Sequence, residues 1–94
     1  MDCISLEEIR SNIDRIDNQI VKLIAERGLY VKQASKFKKD DQSVKAPQRV
    51  EAIISKVRAL ANEYGSNPDM VEKLYRQMIA GFIEMEMDEF NRQK

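Results

Sequence analysis

From Leu6 to Phe37 apolar side chains return every third or fourth residue, at Leu6, Ile9, Ile13, Ile16, Ile20, Leu23, Ile24, Val31, Ala34 and Phe37, and no proline interrupts them. That step keeps one stripe of an α-helix apolar. The run opens on Ser5-Leu6-Glu7-Glu8, a capping box in which the Ser5 hydroxyl takes an early amide proton and Glu8 reaches back to the Ser5 amide. The spacing therefore predicts one helix from Ser5 to about Lys38. Gly28 inside it costs roughly 1 kcal/mol relative to alanine, which a long packed helix absorbs. Roughly 33 helical residues reach about 50 Å. The rest of a 94-residue chain is too short to cover such a stripe, and a large wet apolar stripe marks an interface. Two-fold pairing of the long helices is the commonest remedy, so the sequence predicts an obligate, intertwined homodimer.

Past Lys38 the segment Lys39 to Lys45 is polar and aperiodic, and Pro47 fits the first turn of a new helix but not the continuation of an old one. Residues 39–46 read as a loop, placed to act as a lid between Lys38 and Arg49. A second helix over about 47–64 carries Val50, Ile53, Ile54, Val57, Leu60, Ala61 and Tyr64 on one face and stops at Gly65. Asn67-Pro68-Asp69 supplies a cap, a first-turn proline and a first-turn acid, and Val71, Leu74, Tyr75, Met78, Ile79, Phe82, Ile83 and Phe90 follow. This third helix spans about 68–91. The methionines Met78, Met85 and Met87 read as adaptable core filling. The class is all-α: a single domain over residues 1–94 with three helices, one of them very long.

Composition narrows the chemistry. Lys plus Arg and Asp plus Glu each number 16, so no bulk field draws nucleic acid or anionic membrane, and an anionic ligand has to be met locally. No apolar run of membrane-spanning length and no basic-then-apolar leader occurs, and Cys3 is a lone cysteine, which together predict a cytoplasmic protein. With no histidine and one cysteine, zinc sets and Ser-His or Cys-His pairs cannot be assembled, so no metal is expected and catalysis falls to Arg, Lys, carboxylates or amides.

A few charged residues fall on positions that the periodicity reserves for apolar ones. In the series Ile20, Ile24, Arg27, Val31, Ala34, Lys38 two cations interrupt the stripe, three turns and about 16 Å apart on one helix. Two such side chains can converge on one small anion; the alternative is that each snorkels to water. In the third helix Tyr75, Ile79, Phe82, Glu86 and Phe90 form a stripe in which Glu86 alone is charged. Its carboxyl is either a neutral acid that donates a hydrogen bond or half of a salt bridge with Lys38 or Arg27. Arg49 flanks the second helix near its start, with Glu51 and Glu63 as alternative partners, and Arg10 has Asp14 four residues on.

Leu6-Glu7-Glu8-Ile9-Arg10, Ile13-Asp14, Ile16-Asp17, Ala25-Glu26-Arg27, Lys38, Pro47-Gln48-Arg49 and a polar residue at 86 together resemble the all-α chorismate mutases over roughly residues 5–90. The resemblance implies an intertwined homodimer of that type whose sites are shared, with Arg27, Lys38 and Arg49 from one protomer and Arg10 from the other. It implies a small dianionic substrate bearing an enolpyruvyl ether on a cyclohexadiene ring, and no cofactor. Arg10 and Arg27 would clamp carboxylates, to which guanidinium forks are matched. Lys38 and Glu86 would hydrogen-bond the ether oxygen as negative charge gathers there, and Phe82 would line the substrate. Glu86 donates only when protonated, which predicts activity rising toward mildly acidic pH.

Many mutases of this family place an acid just before Pro-x-Arg and another just after its Arg, both meeting the ring hydroxyl. This chain has Ala46 and Val50, i and i+4 on one helical face. An unpaired buried hydroxyl would cost chorismate roughly 1–3 kcal/mol. Ala-Pro-x-Arg-Val is instead similar to the isochorismate-pyruvate lyases, which form salicylate and pyruvate. Lyase ranks first, mutase of chorismate to prephenate second, and mutase of the 4-amino analogue third. A helical dimerisation module without catalysis is the alternative from another class.

Overall fold

The computed structural model describes residues 4–38 and 40–92; Cys3 and Lys39 lie outside them. All regular structure among the described residues is helical: α1 is Leu6–Ser35, α2 Asp41–Lys45, α3 Pro47–Glu63 and α4 Pro68–Arg92. Two compact units divide between Gln33 and Ala34.

The first unit is the body of α1. The Glu8 amide donates to Ser5 Oγ at 3.1 Å, while the Glu8 carboxylate accepts from the Ile4 amide at 3.0 Å, one residue earlier than a strict capping box requires. No α1 residue is buried. Its stripe is wet along the whole helix, from Leu6 at 57% and Ile13 at 50% to Ile24 at 39% exposed. Covering this stripe falls to something other than α1 itself.

The long helix ends earlier than its periodicity predicts. Phe37 N–H donates to Ala34 O and Lys38 N–H to Ser35 O, so the ladder tightens into three-residue turns after Ser35. Phe37, which continues the apolar step, is 85% exposed. Lys38 therefore stands beyond the helix, and the three-turn register that aligned it with Arg27 does not exist.

The second unit is built on an antiparallel pair. α3 and α4 pack together, and ion pairs at Glu51–Arg76, Arg58–Glu72 and Arg58–Asp69 match an ascending helix to a descending one. Ile54, Val57 and Ala61 of α3 and Ile79 of α4 are buried between them. The turn is legible in its chemistry. Ser66 N–H reaches Ala61 O and Gly65 N–H reaches Asn62 O, a Schellman stop with Gly65 at φ 75. Asn67 Oδ1 then accepts from the amides of Asp69 (2.9 Å) and Met70 (3.2 Å), capping α4. The methionine reading is corrected in part: Met85 is exposed, while Met78 and Met87 are half-buried.

Residues 40–46 are not a plain loop. Asp40 Oδ1 accepts from the Ser43 amide at 2.8 Å and Asp40 O from the Val44 amide at 3.2 Å, closing one turn of helix. α2 packs on α4, and Val44 is 2% exposed, the most buried side chain of the core. A single apolar residue in a charged stretch carries no period, which is why the pattern missed it.

Candidate active site

Glu86 sits on the inward stripe of α4, where the step from Ile79 through Phe82 delivers it, and its side chain is 7% exposed. Burying a carboxylate costs several kcal/mol unless it is paired. Lys38 supplies the pairing, with Nζ 2.9 Å from Glu86 Oε2 and its own side chain 23% exposed. Of the alternatives left open by the sequence, the salt bridge with Lys38 is the one present. Glu86 accepts here rather than donates. An ammonium carries three protons, so Lys38 keeps two N–H groups for other acceptors.

A second cluster gathers at the start of α3. Asp40, Ser43, Ala46, Pro47, Gln48 and Arg49 line one open depression. Pro47 opens the helix, and Ala46 is its N-cap, at φ 38 and ψ 61, without a side-chain capping bond. The Ala46 carbonyl accepts the Val50 amide at 3.0 Å. Ala46 thus lies outside the helix, and its same-face relation to Val50 is that of a cap to the fourth helical residue. Neither side chain carries a polar atom. Val50 is half-buried and Arg49 exposed. The Arg49–Glu51 pairing does not form, because both Glu51 oxygens accept from Arg76 at 2.9 Å.

On α1, Arg10 is exposed and Arg27 half-buried. Seventeen residues separate them, about 26 Å along the axis. No ion pair joins Arg10 to Asp14 among the described residues. Phe82 is half-buried on α4, one turn before Glu86. Lys38 and Glu86 are thus brought into contact, Ala46 and Arg49 share a depression, and Arg10 and Arg27 stand apart on one helix. Asp40, Ser43 and Val44, which sequence reasoning left in a featureless loop, shape the segment between the two clusters.

The structure thus pairs Lys38 with Glu86 and places Pro47-Gln48-Arg49 at the head of α3. A sequence model of the chorismate mutase type II family matches residues 9–87. The chain belongs to the chorismate mutase type II family. Over 82 residues, covering 87% of this chain and 81% of the relative, it is 42% identical to the isochorismate pyruvate lyase of Pseudomonas aeruginosa. Over 75 residues, 79% of this chain and 76% of the relative, it is 35% identical to the chorismate mutase of Methanocaldococcus jannaschii. It is also 32% identical over 85 residues to a bifunctional chorismate mutase/prephenate dehydratase of Aquifex aeolicus, of which it covers 24%. The family and these relatives are enzymes, isomerases or lyases, and the chorismate mutase type II fold is all-α, as this chain is. No helix among the described residues is long and apolar enough to cross a membrane.

Proposed function

We propose that the chain is an isochorismate-pyruvate lyase of the cytoplasm, working without cofactor as an intertwined homodimer of one helical domain per chain. The observation that carries this reading is the apolar pair Ala46 and Val50 around Pro47-Gln48-Arg49, where an acid on either side would serve chorismate's ring hydroxyl. The 42% identity to a relative named isochorismate pyruvate lyase supports it.

In this reading the ether bond of isochorismate breaks as a ring hydrogen moves to the enolpyruvyl methylene, leaving salicylate and pyruvate. Negative charge collects on the ether oxygen in the transition state. Lys38, held by Glu86 at 2.9 Å, has N–H groups to spare for that oxygen, and a preorganised donor costs no reorganisation at the moment of reaction. Arg27 takes a carboxylate, Arg49 adds a guanidinium from the head of α3, and Phe82 lines the ring. Arg10 and Arg27 lie about 26 Å apart along α1, too far for one ten-carbon ligand. The Arg10 that completes a site therefore comes from the partner subunit, and pairing two copies of α1 also covers the stripe that one copy leaves wet.

The mutase reading has one observation in its favour, the 35% identity to a relative named chorismate mutase. Product analysis separates the two. With isochorismate, the lyase gives salicylate fluorescence and pyruvate in equal amounts; a protein that forms only prephenate from chorismate, and no salicylate, is a mutase.

A further inference from the structure

Lys38 reaches its site from an awkward place. It lies beyond the last turn of α1, where its N–H donates to Ser35 O in a tight turn. The Lys38–Glu86 contact joins residues 48 apart in sequence. A part-exposed lysine pair of this kind is too weak to order the backbone that presents it, because fixing several residues costs more than such a pair returns. Something else must hold the segment.

Only one side chain between Lys38 and Pro47 is buried among the described residues, and it is the most buried of the core: Val44, 2% exposed, on the turn of helix that packs against α4. Glu86 is on the same α4. The turn that carries Val44 is itself closed by Asp40, two residues after Lys38, through its carboxylate to Ser43 and its carbonyl to Val44. Downstream, Ala46 takes a left-handed conformation immediately before Pro47, which a non-glycine residue adopts only when its surroundings impose it. Asp40 and Val44 thus frame a spacer, residues 40–44, that is pinned to α4, with Lys38 two residues upstream of it.

We propose that Val44 is a positioning residue for the reaction, setting the distance of the Lys38 ammonium from Glu86 and from the substrate by docking α2 on α4. The proposal rests on the reading that Lys38 acts on the breaking ether bond. Val44 touches no substrate in it. Removing its two methyl groups frees the spacer and lets Lys38 leave Glu86, while α3 and α4 keep their own core of Ile54, Val57, Ala61 and Ile79.

The test compares wild type, Val44→Ala and Val44→Ile, each with Lys38 intact and with Lys38→Ala. Val44→Ala is expected to lower kcat about tenfold or more with a smaller change in KM, since small misplacements of a catalytic group cost that much. Val44→Ile is expected to restore most of it. In the Lys38→Ala background, Val44→Ala is expected to cost nothing further, because the two act through one group. The Lys38 ammonium resonance gives a readout without turnover: slowed proton exchange in wild type and Val44→Ile, fast exchange in Val44→Ala. Equal losses with and without Lys38, or an unchanged ammonium resonance in Val44→Ala, overturn the proposal. If Val44→Ala does not fold, Val44→Thr, which keeps the shape and adds a hydroxyl, carries the same comparison. Should wild type turn over neither isochorismate nor chorismate, the functional reading fails, and the ammonium resonance still decides whether Val44 places Lys38.

Discussion

Glu86→Gln separates two roles for the buried acid by the sign of its effect on the rate. In the structure Glu86 accepts from Lys38 at 2.9 Å, so its useful form is the carboxylate that orients the ammonium. If instead Glu86 acts as the neutral acid and donates to the ether oxygen, glutamine, which donates at every pH, keeps or raises the rate. Glutamine keeps the volume and an acceptor oxygen but loses the charge. A charge-assisted hydrogen bond contributes about 1.5–3 kcal/mol and a neutral one about 0.5–1.5. With the Lys38 side chain 23% exposed, the loss belongs at the small end of that difference, about 1 kcal/mol, or about fivefold in rate. The assay is kcat for salicylate formation near neutral pH. The orienting role predicts a glutamine variant about fivefold slower than wild type. A glutamine variant as fast as wild type, or faster, refutes the orienting role.

Three further outcomes follow from the same structure. Gly65→Ala is expected to destabilise by about 1 kcal/mol, since its backbone is left-handed and an added Cβ meets nothing, whereas Gly81→Ala, in open space within α4, is expected to stabilise by up to about 1 kcal/mol; urea unfolding checks both signs. The Glu51 and Glu72 carboxyls are held below the ordinary carboxylate range, first of all by hydrogen bonds from Arg76. Groups depressed by folding stabilise above their unfolded pKa and lose that contribution as pH falls through the folded one, so the unfolding midpoint should drop in acid, and drop less steeply in a Glu51→Gln/Glu72→Gln variant. If sites are shared, co-refolding inactive Arg10→Ala and Lys38→Ala chains should recover about a quarter of wild-type activity, half the dimers being mixed and one of two sites in each intact; no recovery means that Arg10 serves its own chain.

The parts of this fold that a sequence states plainly are those with local chemistry. The Schellman stop at Gly65, the Asn67 cap and the Pro47 start fall where the residues demand them, because a positive φ, an orphan amide and a missing N–H are satisfied within a few residues. The end of α1 was less legible: Phe37 keeps the apolar step, yet it sits in a tight turn and faces water. Periodicity reports a hydrophobic face only while a partner surface exists to receive it. Val44 shows the converse, since a lone valine among lysines and acids gives no period, and its burial depends on an α4 surface far along the chain. For the site, charge in an apolar stripe drew attention to Glu86 and Lys38, which meet in a salt bridge, although Lys38 lies past the end of the helix that carries Arg27. Which partner Glu86 takes is a tertiary fact that the stripe alone left open.

The most direct measurement is the ratio of kcat/KM for salicylate formation from isochorismate to kcat/KM for prephenate formation from chorismate, on the same preparation. The account predicts a ratio well above unity, with mutase activity as a minor component, and the gap should narrow when acids are placed around Pro47-Gln48-Arg49 by Ala46→Asp and Val50→Glu. A ratio below unity contradicts it and makes this chain a chorismate mutase.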